Sequence, residues 1–173
     1  MRLFTAILLN EDIREALLEA QGRMYDCGMR GSYAREENLH LTLAFIGEYP
    51  DPDRVLEAMG RVRFEPFEIT PEGIGRFGDL WWAGIRHSDR LAALVKSLRH
   101  VLADEGIPFD RKRFSPHITL LRRARLPEDL PAIRLGECSM KTDRISLMRS
   151  DRGKKGMVYT EVGSVSAVRH PYL

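Results

Sequence analysis

The chain has 173 residues, 43% of them hydrophobic, and a net charge of +2. This length and composition are typical of one compact domain with a sizeable core, and they exclude a disordered or low-complexity chain. The early apolar stretch Phe4–Leu9 is too short to span a bilayer and runs into polar residues without a signal-peptide cleavage site, and two cysteines (Cys27 and Cys138) make no disulfide framework. We therefore expect a protein of the reduced cytoplasm.

The first half of the chain predicts two strands and two helices. A short apolar strand, Arg2–Leu9, is followed by a helix that begins after an Asn10 cap and ends near Cys27–Gly28. Leu39–Ile46 is predicted as the second strand. A short helix follows over Asp51–Arg61, because Asp is a good cap and the next residue, a proline, suits the first helical position.

The second half predicts one long helix and five strands. The helix carries a single apolar stripe, Leu91–Leu102, at i, i+3, i+4, i+7 spacing. Phe67–Gly75 and Leu80–Arg86 are predicted as a pair of strands around a glycine-containing turn. His117–Leu121 is a single strand. Cys138–Arg149 and Met157–Val165 form a hairpin closed by the polar segment Asp151–Gly156. Strands clustered between helices favour an α+β fold with mainly antiparallel sheet.

One short motif occurs twice, each time inside a predicted strand. His40-Leu41-Thr42-Leu43 recurs 77 residues later as His117-Ile118-Thr119-Leu120. Each copy follows a strand and a helix. This repetition predicts two similar lobes, built from one duplicated unit and packed as a single domain over residues 1–173.

The repeated residues have a shared chemical use. Because strand side chains alternate between faces, His40 and Thr42 point the same way, as do His117 and Thr119, while the aliphatic residues point into the core. Two imidazoles can serve as a general base and a general acid in metal-free phosphodiester chemistry, since histidine titrates near pH 6.5. Threonine hydroxyls can donate hydrogen bonds to phosphoryl oxygens.

Basic residues flank the second copy. The chain has 22 arginines and 5 lysines, and the clusters Arg111–Arg113 and Arg122–Arg125 lie on either side of His117–Leu121. Arginine binds phosphate and carboxylate through planar paired hydrogen bonds. A solvated surface would explain the composition alone, but the position of the clusters favours an anionic ligand beside this strand.

Other interpretations of the histidines remain open at this point. A zinc site is less favoured because no third ligand lies at ligand spacing from His40 or His117, so we expect no metal and no cofactor. His87, His100 and His170 lack a threonine partner, and His100 falls on the polar side of its helix. The two cysteines are interpreted as small hydrophobic residues, not as nucleophiles.

The two motifs with their extensions resemble a known family. His40-Leu41-Thr42-Leu43-Ala44-Phe45-Ile46-Gly47 and Pro116-His117-Ile118-Thr119-Leu120-Leu121-Arg122 are similar to the motifs of the 2H phosphoesterase superfamily. Within it they resemble the RNA 2′,3′-cyclic phosphodiesterase branch, historically called 2′-5′ RNA ligases. The resemblance implies a bilobal α+β fold with two antiparallel-sheet lobes, helices on the outside and an active site in the central cleft.

The resemblance also implies a reaction. The protein would open a terminal 2′,3′-cyclic phosphate on RNA and leave a 2′-phosphate. His40 would protonate the 3′ leaving oxygen and His117 would activate the attacking water. Thr42 and Thr119 would bind the phosphate, and Arg122 would add positive charge.

A further implied contact is base stacking on Phe45. Strict alternation puts Phe45 and Arg122, each five residues after its histidine, on the face opposite to it, so each reaches the cleft only if its strand twists or bulges. We expect a monomer that acts on RNA ends or cyclic nucleotides, away from membranes, and that also catalyses the reverse reaction, 2′-5′ RNA ligation. The alternative is a non-catalytic module that binds phosphorylated RNA ends or nucleotides.

Overall fold

The computed structural model describes residues 1–168, so His170 lies outside the described residues. Ten strands and three α-helices follow in chain order, with a 3₁₀ turn at Glu36–Asn38 before the third strand. The elements are β1 Arg2–Leu8, α1 Glu11–Asp26, β2 Arg30–Tyr33, β3 His40–Glu48, α2 Pro52–Met59, β4 Phe67–Ile69, β5 Pro71–Phe77, β6 Leu80–Ile85, α3 Asp89–Asp104, β7 His117–Arg125, β8 Met140–Thr142, β9 Arg144–Gly153 and β10 Gly156–Ser166. No helix within this range is long and apolar enough to cross a bilayer.

Two four-stranded antiparallel sheets form the two lobes. The strand order is β10-β9-β1-β3 in the first sheet and β2-β7-β6-β5 in the second, with β4 and β8 in a separate small sheet. The units β1-α1-β3 and β6-α3-β7 repeat the same path, since in each the second strand returns antiparallel to the first. The predicted α+β fold with a duplicated unit is confirmed.

The lobes are joined through their helices and through β3 and β7, which contact each other. Helix α1 contacts β7 of the second sheet, and α3 contacts β3 of the first. Gln21 of α1 donates side-chain hydrogen bonds to the carbonyl oxygens of Ala34 and Leu120, at 2.9 and 3.0 Å. One cluster of buried hydrophobic residues runs through both sheets.

All three helices begin after a side-chain cap; the sequence predicted the caps Asn10 and Asp51 and located α3 by its apolar stripe. Asn10 accepts from the backbone N–H of Ile13 at 2.9 Å, and Ser88 Oγ accepts from that of Leu91 at 3.1 Å. Asp51 caps α2 in the same way, at 3.2 Å. The predicted stripe of α3 is fully buried: Leu91, Leu94, Val95, Leu98, Val101 and Leu102.

Two strand predictions and one loop prediction need correction, and one strand was missed. Strand β2, with the sequence Arg-Gly-Ser-Tyr, was not predicted because it has no apolar run and pairs only with the distant β7. The predicted strand Phe67–Gly75 divides into β4 and β5, which belong to different sheets, and Cys138–Arg149 divides into β8 and β9. The predicted loop Asp151–Gly156 is mostly hairpin, because pairing continues as far as Gly153 and Gly156.

Candidate active site

Each His-x-Thr segment opens a strand whose two faces have different surroundings. The histidine and the threonine are half-buried, and the residue after each of them is buried. These buried aliphatic residues are Leu41, Leu43, Ile118 and Leu120. The alternation predicted from the sequence is therefore confirmed over the first four positions of both copies.

A bulge in β3 then changes the alternation. Thr42 lies opposite Ala6 and Phe45 lies opposite Phe4, so β3 contains one residue more than β1 between these two pairs. Phe4 and Ala6 are two apart on β1 and share a face. Phe45 therefore returns to the face of Thr42, where it packs against the cluster formed by Phe4, Ala6 and Met148.

Strand β7 carries a bulge at the equivalent position. Thr119 lies opposite Trp82 and Leu121 lies opposite the neighbouring Trp81, so Leu120 is the extra residue. Both Leu120 and Leu121 are buried, and Arg122 follows on the face of Thr119. The two bulges thus bring the sixth residue of each motif to the histidine face, which strict alternation forbids.

The two imidazoles are held by the same backbone contact. His40 Nδ1 lies 2.7 Å from the carbonyl oxygen of Asn38, and His117 Nδ1 lies 2.7 Å from that of Ser115. Because a carbonyl only accepts, each Nδ1 carries a proton and each Nε2 is left for proton transfer. Pro116 supports this geometry, since the residue before a proline avoids helical backbone.

His40 lies in the more enclosed environment. Its Nε2 is 2.9 Å from the hydroxyl of Thr42, and its ring packs against Phe4 and Tyr159 at centroid distances of 4.9 and 5.2 Å. Burial lowers the pKa of His40 below its usual value of 6.5, and the hydrogen bond to the Asn38 carbonyl opposes this shift. Electrostatic repulsion from Arg122 and His117 lowers that pKa further.

His117 packs against rings of its own sheet. Its ring lies 5.3 Å from Phe77 and 6.3 Å from Trp82 between centroids, and Phe77 is 49% exposed. Trp82 crosses directly over Gly75 of β5, where any side chain would collide with the indole. The glycine therefore allows the indole to lie close enough to support His117.

A cavity of about 570 Å³ holds half of the predicted site residues: His40, Thr119 and Arg122 line it. Thr42 joins this group through its contact with His40, whereas His117 does not line the cavity. Phe45 packs under the guanidinium of Arg2, 5.0 Å from the ring centroid. A larger cavity of about 800 Å³ beside α3 is lined by none of these residues.

The lining of the smaller cavity is strongly basic. Its charged side chains are all cations, and no carboxylate of the described residues lines it. They are Arg35, Arg122, Arg123, Arg152 and Lys155. Sequence reasoning noted the Arg122–Arg125 cluster but interpreted Asp151–Gly156 only as a loop; the basic residues of that segment were the available signal. Residues 1–168 contain no group of three or more potential metal ligands.

The comparisons with known proteins agree with this geometry. A family model described as the 2′-5′ RNA ligase superfamily matches residues 11–154. The chain belongs to this superfamily. The resemblance predicted from the two motifs is thereby confirmed, because the match spans both of them.

Relatives and solved structures cover most of the chain. A Thermotoga maritima protein named RNA 2′,3′-cyclic phosphodiesterase is 32% identical over 92% of this chain and 91% of its own length. A Thermus thermophilus protein of the same name is 35% identical over 92% and 87%. Escherichia coli LigT in its apo form superposes with a TM-score of 0.83 at 28% identity, covering 97% of this chain and 98% of LigT.

Proposed function

We propose that this chain is an RNA 2′,3′-cyclic phosphodiesterase that hydrolyses a terminal 2′,3′-cyclic phosphate to a 2′-phosphate. The observation that carries the proposal is the matched pair of imidazoles. His40 and His117 open the equivalent strands β3 and β7, which contact each other, and they share the same Nδ1 contact; His40 lines the basic cavity. The names of the superfamily relatives support the same reaction.

In the proposed reaction the two histidines exchange protons with water and substrate. His117 Nε2 takes a proton from water as the oxygen attacks phosphorus, and the P–O3′ bond breaks. His40 Nε2–H gives its proton to O3′, so the product carries a 3′-hydroxyl and a 2′-phosphate. Both steps use the ring nitrogen that the backbone carbonyls leave available.

The proposed phosphate ligands are the hydroxyls of Thr42 and Thr119 and the guanidinium of Arg122. In the free protein the Thr42 hydroxyl donates to neutral His40 Nε2. An anionic phosphodiester opposes the effect of Arg122 and raises the pKa of His40. Protonated Nε2 no longer accepts, so the Thr42 hydroxyl becomes free to donate to a phosphoryl oxygen. Substrate binding and protonation of His40 are coupled in this way.

We assign Phe45 to stacking on the terminal base. Its ring shares the strand face of Thr42 and is half-buried, and the Arg2 guanidinium covers part of it. Stacking on an aromatic ring tolerates any base. This role predicts little preference among terminal nucleotides.

The chain is proposed to work as one domain and as a monomer in the cytoplasm. The single-domain proposal is supported by the common hydrophobic cluster and by helices that pack on the opposite lobe. Cys27 and Cys138 are both free thiols, as suits a reducing compartment.

Product analysis tests the function directly. A ribo-oligonucleotide with a 2′,3′-cyclic phosphate end is incubated with the protein, and the 2′- and 3′-phosphate products are separated. The proposal expects conversion to the 2′-phosphate with little change after EDTA treatment. Tight binding without turnover would favour the RNA-end binding module, and loss of turnover restored only by zinc or manganese would favour a metal hydrolase.

A further inference from the structure

Arg123 has an unusual backbone conformation. Its φ is +52°, and no other non-glycine residue within residues 1–168 has a positive φ. The left-handed region is costly for a side chain with a Cβ and persists where the surroundings require it. In the β2-β7 pairing, Ser32 lies opposite Arg122 and Arg30 opposite Arg125, so two residues of β7 face one residue of β2. Arg123 is thus part of a third bulge.

The residue opposite this bulge is adapted to it. A Cβ at Gly31, whose φ is +150°, would lie 2.6 Å from the carbonyl oxygen of Arg122 and 2.8 Å from that of Arg123. Only glycine allows this close approach. The result is that the Arg123 side chain lines the cavity, where its Nη2 donates to Ser32 Oγ at 3.1 Å.

The β9-β10 hairpin contributes two further cations to the same cavity, Arg152 and Lys155. The hairpin is fixed to the start of β3, because the carbonyl oxygen of Met157 accepts from Arg35 Nη2 at 2.7 Å and from Asn38 Nδ2 at 2.9 Å. The carbonyl of the same Asn38 holds the ring of His40. The position of the hairpin is therefore tied to the catalytic imidazole.

These cations exceed what one reacting phosphate needs. Arg122 and the two proposed catalytic histidines already surround a single negative charge. Within residues 1–168, Arg123, Arg152 and Lys155 make no ion pair with a carboxylate. Unpaired cations from separate segments that line one cavity are typical of a second anionic group in the ligand.

We propose that Arg123, Arg152 and Lys155 form a second phosphate subsite, which binds the phosphodiester that links the terminal nucleotide to its 5′ neighbour. The subsite makes the protein selective for the ends of RNA chains over cyclic mononucleotides. This inference rests on the proposed function and names its substrate class.

The test compares two substrates, a short ribo-oligonucleotide with a 2′,3′-cyclic phosphate end and a nucleoside 2′,3′-cyclic phosphate. Arg123→Gly keeps the left-handed backbone and removes the guanidinium. It is expected to lower kcat/KM for the oligonucleotide about tenfold, the usual effect of one lost charge-assisted contact, and to change the value for the mononucleotide less than about twofold. The slope of log kcat/KM against log salt should fall by about 0.7 for the oligonucleotide.

Two further variants complete the design. Lys155→Ala, on the other wall, should reproduce the selective loss without altering β7. Arg125→Ala is the matched control, because it removes one exposed arginine of the same strand that does not line the cavity. It should leave both substrates unchanged, and thermal melting verifies the fold of each variant.

The results separate the two proposals. Equal losses on both substrates, or no loss on the oligonucleotide, overturn the subsite while the phosphodiesterase function stands. A wild-type protein that turns over neither substrate overturns the function, and the subsite with it.

Discussion

Strand β3 lies at the edge of its sheet and pairs only with β1, whereas β7 lies inside its sheet between β2 and β6. Their first five motif residues nevertheless share one burial pattern, one bulge and one Nδ1 contact. The surroundings differ. His40 has the closer aromatic packing and the contact to Thr42, while His117 packs against the partly exposed Phe77.

The sixth motif position shows the same divergence. In β3 it is Phe45, packed in an apolar cluster, and in β7 it is Arg122, which lines the cavity. The duplicated backbone thus presents two equivalent nitrogens, but the side chains around them make unequal electrostatic environments. Acid/base catalysis needs one protonated and one neutral imidazole. In the free protein burial and nearby cations favour neutral His40, so its proposed role as the acid depends on bound phosphate raising its pKa.

Removing either imidazole should have the largest effect. His40→Ala and His117→Ala should each lower kcat about 10²- to 10⁴-fold, since each removes one proton-transfer group. The double variant should lose far less than the product of the two, because the groups act as a unit. His100→Ala, on an exposed position of α3, is the control for steady-state assays with a nucleoside 2′,3′-cyclic phosphate. Wild-type turnover in either single variant would refute the assignment.

Substitutions at the sixth motif position, Phe45 in β3 and Arg122 in β7, compare the roles of the two lobes. Arg122→Lys keeps the charge but loses the planar fork, and we expect kcat/KM to fall roughly 10- to 100-fold. Phe45→Leu keeps an apolar residue in the cluster and should change KM a few-fold with little effect on kcat. The same assay measures both. A larger loss of kcat from Phe45→Leu than from Arg122→Lys would reverse our assignment of the charged role to β7.

The bulge of β7 opposite β2 has no counterpart at the free edge of β3, and it can be broken at Gly31. Gly31→Ala should lower the free energy of unfolding by about 1–3 kcal/mol, because the new Cβ presses on two carbonyl oxygens. Gly22→Ala is the matched control: this helical glycine has open space around it, so alanine should raise stability by up to about 1 kcal/mol. Denaturant unfolding measures both. An unchanged midpoint for Gly31→Ala would contradict the close approach.

The smallest expected effect is on the titration of His40. Its pKa in the free protein should lie below 6.5, since burial and the nearby cations disfavour the imidazolium. Arg122→Gln removes one cation and should raise that pKa, and saturating inorganic phosphate should raise it in the wild type. NMR titration of the histidine ring protons follows each change. A fall in the His40 pKa on adding phosphate would exclude an anion site beside it.

The sequence was informative where local chemistry decides the structure. Asn10 and Asp51 cap helices by contacts within four residues, and Leu91–Leu102 forms one apolar stripe, so α1, α2 and α3 can be placed from sequence. Strand β2 could not be predicted, because its pairing with β7 is a tertiary contact. The bulges could not be predicted either, because sequence periodicity assumes regular strand pairing and each bulge arises from packing against a neighbouring strand.

The basic clusters show the same limit. Arg111–Arg113 and Arg122–Arg125 have equivalent positions in the sequence, as they flank the same strand. In the structure Arg113 lines the separate cavity beside α3, and Arg111 lies over Phe109, 4.6 Å from its ring centroid. The cavity lined by His40 takes its other cations from Arg35 and from the distant hairpin instead. Which charged residues line the same cavity depends on how the lobes pack, and their separation along the sequence does not determine this packing.

The pH dependence of kcat/KM on a nucleoside 2′,3′-cyclic phosphate tests the paired-histidine account most directly. A small substrate keeps RNA-binding ionisations out of the profile. One limb reports a group that must be neutral and the other a group that must be protonated, and both apparent values belong to the coupled pair. We predict a bell-shaped profile with both limbs in the histidine range. A monotonic rise through pH 9 would contradict acid/base catalysis by His40 and His117.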